Sequence, residues 1–399
     1  MNKKNSLKNS VSRLSFLKNV FVCSLAAYGG PEAHYSVFIN QLTVKNKYLS
    51  ETELIELIAL CSILPGPTST QTITAIGYKT GGPVLALLTL FIWAFPAIAV
   101  MSLISFLYIF LDAENIDHLF LKYIGPMALG FIITASVRIT RKTVHDKITI
   151  FLFLNSILLT FFIRSPLIFP AVLIFSGICT MLISKEKNIY NRIRISPPWI
   201  YLWSFIFIGI GLITVKTFFE IRIISLFESF YRYGYLVFGG GQVVIPLMYN
   251  ELVELSGFMT SPEFLTGYGL VQGLPGPMFS FAAYAGGMAS RGGTLIMQTA
   301  GALAGGIGIF LPGTLLIFFI YPVWENLKKM KAISLSLKGI NASAAGMITS
   351  AALVISVSIG FKPEYIAVSV ITAILLAFKK IPAPLIVIAA IAAGWFIKF

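Results

Sequence analysis

Two Pro-Gly-Pro triplets offer the clearest chemistry in the chain, Pro65-Gly66-Pro67 and Pro275-Gly276-Pro277. Each separates two short apolar pieces, 54–64 from 68–79 and 264–274 from 278–289. Proline removes an amide donor and disfavours helix in the residue before it. Two prolines around a glycine therefore end one half-helix and start another. The new helix presents unpaired amides and the positive end of its dipole, which together make a seat for an anion. Thr68, Ser69, Thr70 and Gln71 can add donors at the first triplet. Gln272 precedes the second triplet and Ser280 follows it. Two further breaks carry glycines: Gly29, Gly30 and Pro31, and Gly239, Gly240 and Gly241 followed by Gln242. A purely structural reading competes at each place. Prolines bend helices or shape reentrant hairpins, and small residues let membrane helices pack closely.

Charged residues near the breaks have two readings as well. Glu32 and His34 follow the first glycine break, and either could couple protons to anion movement, since histidine titrates near neutral pH. Their second-half counterparts, Gln242 and Val244, are neutral, so such a role would be asymmetric. The alternative for His34 is a structurally satisfied ring. Lys79 and Arg291 follow the two hairpins, just before Gly81-Gly82 and Gly292-Gly293. They could draw an anion toward a vestibule or snorkel to an interface. The same choice applies to Lys338. Enzyme signatures such as Gly-x-Ser-x-Gly, His-Glu-x-x-His or a phosphate-loop lysine are absent from the sequence. Cys23, Cys61 and Cys179 are isolated, as are the three histidines, which suggests neither disulfides nor a metal cofactor.

The elements that position these residues must be membrane helices. Of 399 residues 57% are hydrophobic and only 12% charged, against about 25% charged in soluble domains. Mean hydropathy is +0.85. This excludes a soluble enzyme, a disordered scaffold and a secreted disulfide domain. The net charge of +14 reads as a topology signal rather than a nucleic-acid surface, because basic residues gather in cytoplasmic loops. Several apolar stretches are too short for about 30 Å of hydrocarbon, and those sit beside the glycine and proline breaks. Broken backbone at that depth is tolerated only where protein or a water-filled cavity receives its polar groups.

The breaks also repeat. Tyr28-Gly29-Gly30-Pro31 aligns with Phe238-Gly239-Gly240-Gly241, and Leu64-Pro65-Gly66-Pro67 with Leu274-Pro275-Gly276-Pro277, both at an offset of 210. Residues 49–54 and 259–264 align at the same offset. Phe95-Pro96 meets Leu311-Pro312, and Arg164 meets Lys380, at 216. Duplication explains this register. Charge predicts opposite orientations: the basic tail and 138–147 inside, the acidic loop 112–118 outside, and its basic counterpart 325–331 inside. The expected organisation is a basic cytoplasmic tail (1–19), a first repeat (20–184), a basic linker with one connecting span (185–217) and a second repeat (218–399). The fold class is an all-α integral membrane protein of two inverted-topology repeats with broken or reentrant helices, an architecture that places a transport site at the repeat interface.

The ordered motifs resemble the chromate ion transporter family in its long, two-domain form. Tyr28-Gly29-Gly30-Pro31-x-x-His34 resembles the family's Phe-Gly-Gly-Pro-x-x-His, and Pro65-Gly66-Pro67-x-x-x-Gln71 its Pro-Gly-Pro-x-x-x-Gln. Phe238-Gly239-Gly240-Gly241-x-x-x-Ile245-Pro246, Gln272 to Pro277, Leu311-Pro312 and Lys338-Gly339-Ile340-Asn341 extend the similarity over nearly all of the chain beyond the tail. Tyr28 stands where phenylalanine is usual, and Glu32 where small neutral residues are common. The resemblance implies a multi-pass bacterial inner-membrane protein that exports chromate and confers chromate resistance, without a cofactor. Sulfate, with the same shape and charge, is the natural competitor. The expected partners are an oxyanion, the lipid bilayer and, as a candidate, a second copy of the chain in a homodimer. An anion channel, a transporter of another oxyanion and a membrane-embedded enzyme remain the alternatives.

Overall fold

The computed structural model describes residues 12–113, 118–163, 165–184, 196–219, 221–237, 244–327, 331–378 and 381–396, and leaves out the side chains at 32, 112, 113, 118, 119, 325, 327, 331 and 333, Glu32 among them. Gly239, Gly240, Gly241 and Gln242 lie outside the described residues, as do the Arg164 and Lys380 turns, the basic linker and most of the loops on which the charge argument for inversion rests.

All regular structure among the described residues is helical. The first half comprises α1 (Arg13–Ala26), α2 (Pro31–Phe38) continuing as a π-turn (Ile39–Lys45), α3 (Glu51–Ile63), α4 (Thr68–Ala113), α5 (Ile124–Thr143), α6 (Lys147–Phe162) and α7 (Ile168–Ile183). After α8 (Trp199–Phe219) come α9 (Arg222–Leu236), α10 (Val244–Tyr249) with its π-turn (Asn250–Leu255), α11 (Ser261–Val271) and α12 (Phe281–Ala289). The remainder is α13 (Leu295–Gly308), α14 (Leu311–Ile320), the single turn α15 (Trp324–Leu327), α16 (Lys331–Ile359), α17 (Pro363–Ala377) and α18 (Ala383–Phe396). Among the described residues four apolar helical stretches are long enough to cross a bilayer: Thr68–Leu111, Trp199–Phe219, Leu295–Val323 and Ser334–Ile359. The connecting helix α8 buries none of its residues fully and packs along one side on α9 and α14.

The repeat is written in the backbone. Capping boxes start α3 and α11: Ser50 and Thr260 accept from the amides of Glu53 and Glu263, whose carboxylates accept from the cap amides in return. Positive φ recurs at the same offset of 210, at Lys47 and Gly257, Gly66 and Gly276, and Gly82 and Gly292. Both short helices after the glycine breaks widen into π-turns. One difference separates the copies. The apolar stretch 84–111 is fused to the piece before it across a kink at Gly81-Gly82, whereas the second half breaks fully between α12 and α13.

The two Pro-Gly-Pro loops are exchanged between the halves. The Gly66 amide donates to the Val237 carbonyl (2.8 Å) at the end of α9, and the Gly276 amide donates to the Ala27 carbonyl (2.9 Å) at the end of α1. Ala27 and Val237 are themselves equivalent positions at the 210 offset. The close approach continues on the next helix: a Cβ on Gly66 would lie 3.3 Å from the Gly313 Cα, and one on Gly276 would lie 3.1 Å from the Ala97 Cβ. Ala97 and Gly313 are equivalents at 216.

Elsewhere glycines serve close helix contact. A Cβ on Gly286 would run into the Gly301 carbonyl and one on Gly305 into the Ala282 carbonyl, so the glycine run 301–308 is a packing surface between α12 and α13. The long α16 lies against α5, α6 and α7, joined by hydroxyls: Ser176 Oγ to Ser343 Oγ (2.5 Å), Ser156 Oγ to the Ser343 carbonyl (3.0 Å) and Ser136 Oγ to Thr349 Oγ1 (2.7 Å).

Two predictions follow from these contacts. Gly66→Val and Gly276→Val should each lower the melting temperature in detergent, because φ values of +130° and +102° cost a β-branched residue roughly 1–2 kcal/mol before any overlap. Gly211→Ala, in α8 with open space around it, should be neutral or slightly stabilising. The second prediction concerns Asp146, the cap of α6. Lys338 Nζ lies 2.5 Å from its carboxylate and, with the Thr149 amide and hydroxyl, holds its pKa down to about 2. A lowered carboxyl pKa stabilises the fold above the unfolded value of about 3.9 and ceases to do so as pH falls through the folded one. Asp146→Asn should therefore melt earlier near neutral pH, by a small margin because the pair is partly solvated. That margin should close between about pH 4 and about pH 2.

Candidate anion vestibule at the repeat interface

The first proline break is tightly tied. Thr68, Ser69, Thr70 and Gln71 are all buried at the start of α4. Ser69 Oγ is 2.9 Å from His34 Nδ1, and Thr70 Oγ1 accepts from Trp93 Nε1 at 3.1 Å. The Gln71 amide donates to the Pro65 carbonyl (2.8 Å) and to the Gly313 carbonyl of the other half (3.3 Å). These contacts brace α2, the break and the middle of α4 against one another. His34 is thereby a buried connector, packed edge-on against Trp93 with ring centroids 5.3 Å apart. Its Nε2, the Gln71 Oε1 and the Ser280 Oγ are buried without a hydrogen-bond partner.

The second break departs from the expectation of a clean half-helix start. Pro277 leads into a 3-10 turn, Met278–Ser280, and only then into the nine-residue α12. Gln272 reaches Met278 Sδ at 3.4 Å, a weak contact that leaves its amide capacity largely available.

Gln272 also lines a cavity of about 400 Å³. Tyr28, Gly29 and Gly30 form its wall on the first half, joined by one face of α5: Phe131, Thr134, Ala135 and Arg138. The α17–α18 connection, including Pro382, completes it from the second half. Gly29 (φ +84°) and Gly30 (φ +94°) adopt backbone that only glycine takes easily, and a Cβ on either would meet open space. The cavity thus unites the glycine break of one half with Gln272, three residues before the proline break of the other.

The three cations expected to attract anions are all in ion pairs. Lys79 meets Glu53 at 2.5 Å, Arg291 meets Glu263, and Lys338 meets Asp146. Glu53 and Glu263 are the capping-box glutamates, so each also accepts from a backbone amide. The pairs clasp the far end of each hairpin to its own beginning, and neither Lys79 nor Arg291 lines the cavity. Coulomb attraction to the carboxylates explains the difference from the expected role: a neutralised cation exerts little long-range pull.

Arg138 is the cation that does line the cavity. In the sequence it counts only as a topology charge. The available signal was its helical face, since 131, 134, 135 and 138 follow the i, i+3, i+4, i+7 spacing and bring Thr134 and Arg138 together. A second group is visible only in three dimensions. Arg232 on α9 bonds Glu228 (2.8 Å) and Glu251 of the π-turn (2.8 Å), and Lys216 of α8 reaches Glu228 (2.8 Å). Two cations and two carboxylates balance there, as a largely buried cluster requires. Among the described residues no cluster of three or more histidine, cysteine or acidic side chains could hold a metal ion.

Comparison with known proteins places this arrangement. The chain is 23% identical to an uncharacterized transporter of Methanocaldococcus jannaschii, over 98% of this chain and 96% of the relative. It is 24% identical to a probable chromate transport protein of Synechococcus elongatus (92% and 91%) and 23% identical to a chromate transport protein of Cupriavidus metallidurans (92% and 88%). No solved structure matches it. The family model for chromate transporters matches twice, over residues 14–181 and 224–395, once on each half of the repeat. A double match in register with the duplicated backbone makes this chain a member of the chromate transporter family.

Proposed function

We propose that the protein is a secondary transporter that exports chromate or a related tetrahedral oxyanion across the bacterial inner membrane, with its amino terminus in the cytoplasm. The reading takes 20–184 and 218–399 as inverted repeats joined by the linker and α8. One observation carries it: a single cavity gathers Arg138, the exposed backbone at Gly29-Gly30 and the Gln272 side chain at the junction of the halves. A guanidinium and neutral amide donors are the groups that replace the hydration of a dianion. Deeper binding would use the two Pro-Gly-Pro breaks, where Ser69, Thr70 and Gln71 exchange their present partners for the anion. The unpartnered atoms on His34, Gln71 and Ser280 are consistent with such an exchange. Proton coupling through Glu32 or His34 belongs to the same proposal, as do sulfate as competitor and assembly as a homodimer.

Radiolabelled chromate flux into proteoliposomes tests the proposal, with sulfate as competitor and an imposed pH gradient. Saturable, sulfate-sensitive flux is expected, and correctly folded protein without flux would overturn it. Arg138→Gln should raise the KM for chromate about tenfold or more, since a hydrogen bond to a charged group contributes roughly 1.5–3 kcal/mol. Arg138→Lys should recover part of the loss. An unchanged KM in Arg138→Gln would remove this cavity from the path. Electrical recording in the same membranes separates transport from a channel, which would pass far more charge per protein.

A further inference from the structure

The lining of the open cavity can be carried onto the other half with the offsets of the repeat. Ser36 maps to Pro246 at 210; Thr134, Ala135 and Arg138 map to Ser350, Ala351 and Val354 at 216; and Leu376 maps back to Thr160 at 216. All five counterparts line one other cavity, together with Tyr249, Asn250 and Glu254. The two cavities are therefore equivalent places in the duplicated fold. Their sizes differ greatly, about 400 Å³ against about 20 Å³.

The small cavity is more polar than a permanently closed contact should be. Asn250, Thr160 and Ser350 are each more than nine-tenths buried there. Asn250 Nδ2 donates to Glu254 Oε2 at 2.9 Å, while Asn250 Oδ1 has no partner. An unsatisfied buried amide oxygen is costly, and native proteins keep few. Such a group is explained if it meets water or a ligand in another state of the protein. The open copy displays the shape that this backbone takes when parted.

We propose that the cavity around Asn250 and Ser350 is a second vestibule for the same oxyanion, shut in this state and opened when the Arg138 cavity shuts. The proposal rests on the transport reading above. The two faces would not be equal. Val354 stands in place of Arg138, and Glu254 adds a carboxylate, so the second vestibule holds a dianion more weakly than the first.

The test uses equivalent cysteines, Thr134→Cys for the open cavity and Ser350→Cys or Thr160→Cys for the shut one, in a Cys179→Ser background. Cys23 and Cys61 are buried. Labelling by a membrane-impermeant maleimide is read from each side of the membrane, with and without chromate or sulfate, and under pH and voltage gradients. Chromate flux is measured in the same vesicles. The expected result is reciprocal: a condition that raises labelling at 350 and 160 several-fold lowers it at 134, and the two sites react from opposite sides. Protection at 350 and 160 under every condition, with flux intact, overturns the second vestibule and leaves the transport reading standing. Reciprocal labelling without chromate flux supports the exchange and removes chromate as substrate. Simultaneous labelling of both sites from either side means a continuous pore and overturns the proposal.

Discussion

The structure depends on one reciprocal interaction, the pair of backbone hydrogen bonds by which each half receives the broken chain of the other. In hydrocarbon no water is available for an exposed amide, so a loop between two half-helices must find its partners in protein. The Gly66 amide finds the Val237 carbonyl, and the Gly276 amide finds the Ala27 carbonyl. The acceptors are the ends of α9 and α1, which stop at the glycine breaks and so leave carbonyls without intrahelical donors. Each half supplies what the other lacks. Neither break is satisfied in this way within its own half, which ties the folding of the loops to the assembly of the interface. Glycine is needed at the centre of each triplet for its left-handed backbone and because Gly313 and Ala97 press against it.

Electrostatics adds a second layer. The chain places cations after each hairpin and uses them to hold the hairpins shut. Each capping-box glutamate starts a helix, accepts from its own cap and then pairs with Lys79 or Arg291. Arg138, on a helix outside both hairpins, is the cation that lines the cavity.

Much of this was legible in the sequence, for reasons that differ by element. Pro-Gly-Pro and Gly-Gly pairs constrain backbone locally, so the breaks and their 210-residue spacing could be read directly, and the double family match falls on the same two halves. Among the candidate site residues, Gly29, Gly30 and Gln272 come together at one cavity. Ser69, Thr70 and His34 also lie at the break, but they bond one another and Trp93, a partnership between residues as far as 35 positions apart that no local pattern encodes. The exchanges between Gly66 and Val237 and between Glu263 and Arg291 are likewise long-range. Arg138 was hidden for another reason: a basic residue at a helix end satisfies the topology rule equally well, and only its neighbours on the α5 face separate the two roles.

A third cavity, about 380 Å³, is lined by both Lys122 and Lys362. By the 216 offset these positions correspond to Lys338 and Asp146, which attract each other at 2.5 Å. Duplication has kept the scaffold while substitution has turned a latch at one end into a pair of like charges at the other. The Lys338–Asp146 latch is half exposed, so dissolved salt screens it, and that end of the molecule loosens as the solution around it grows more concentrated.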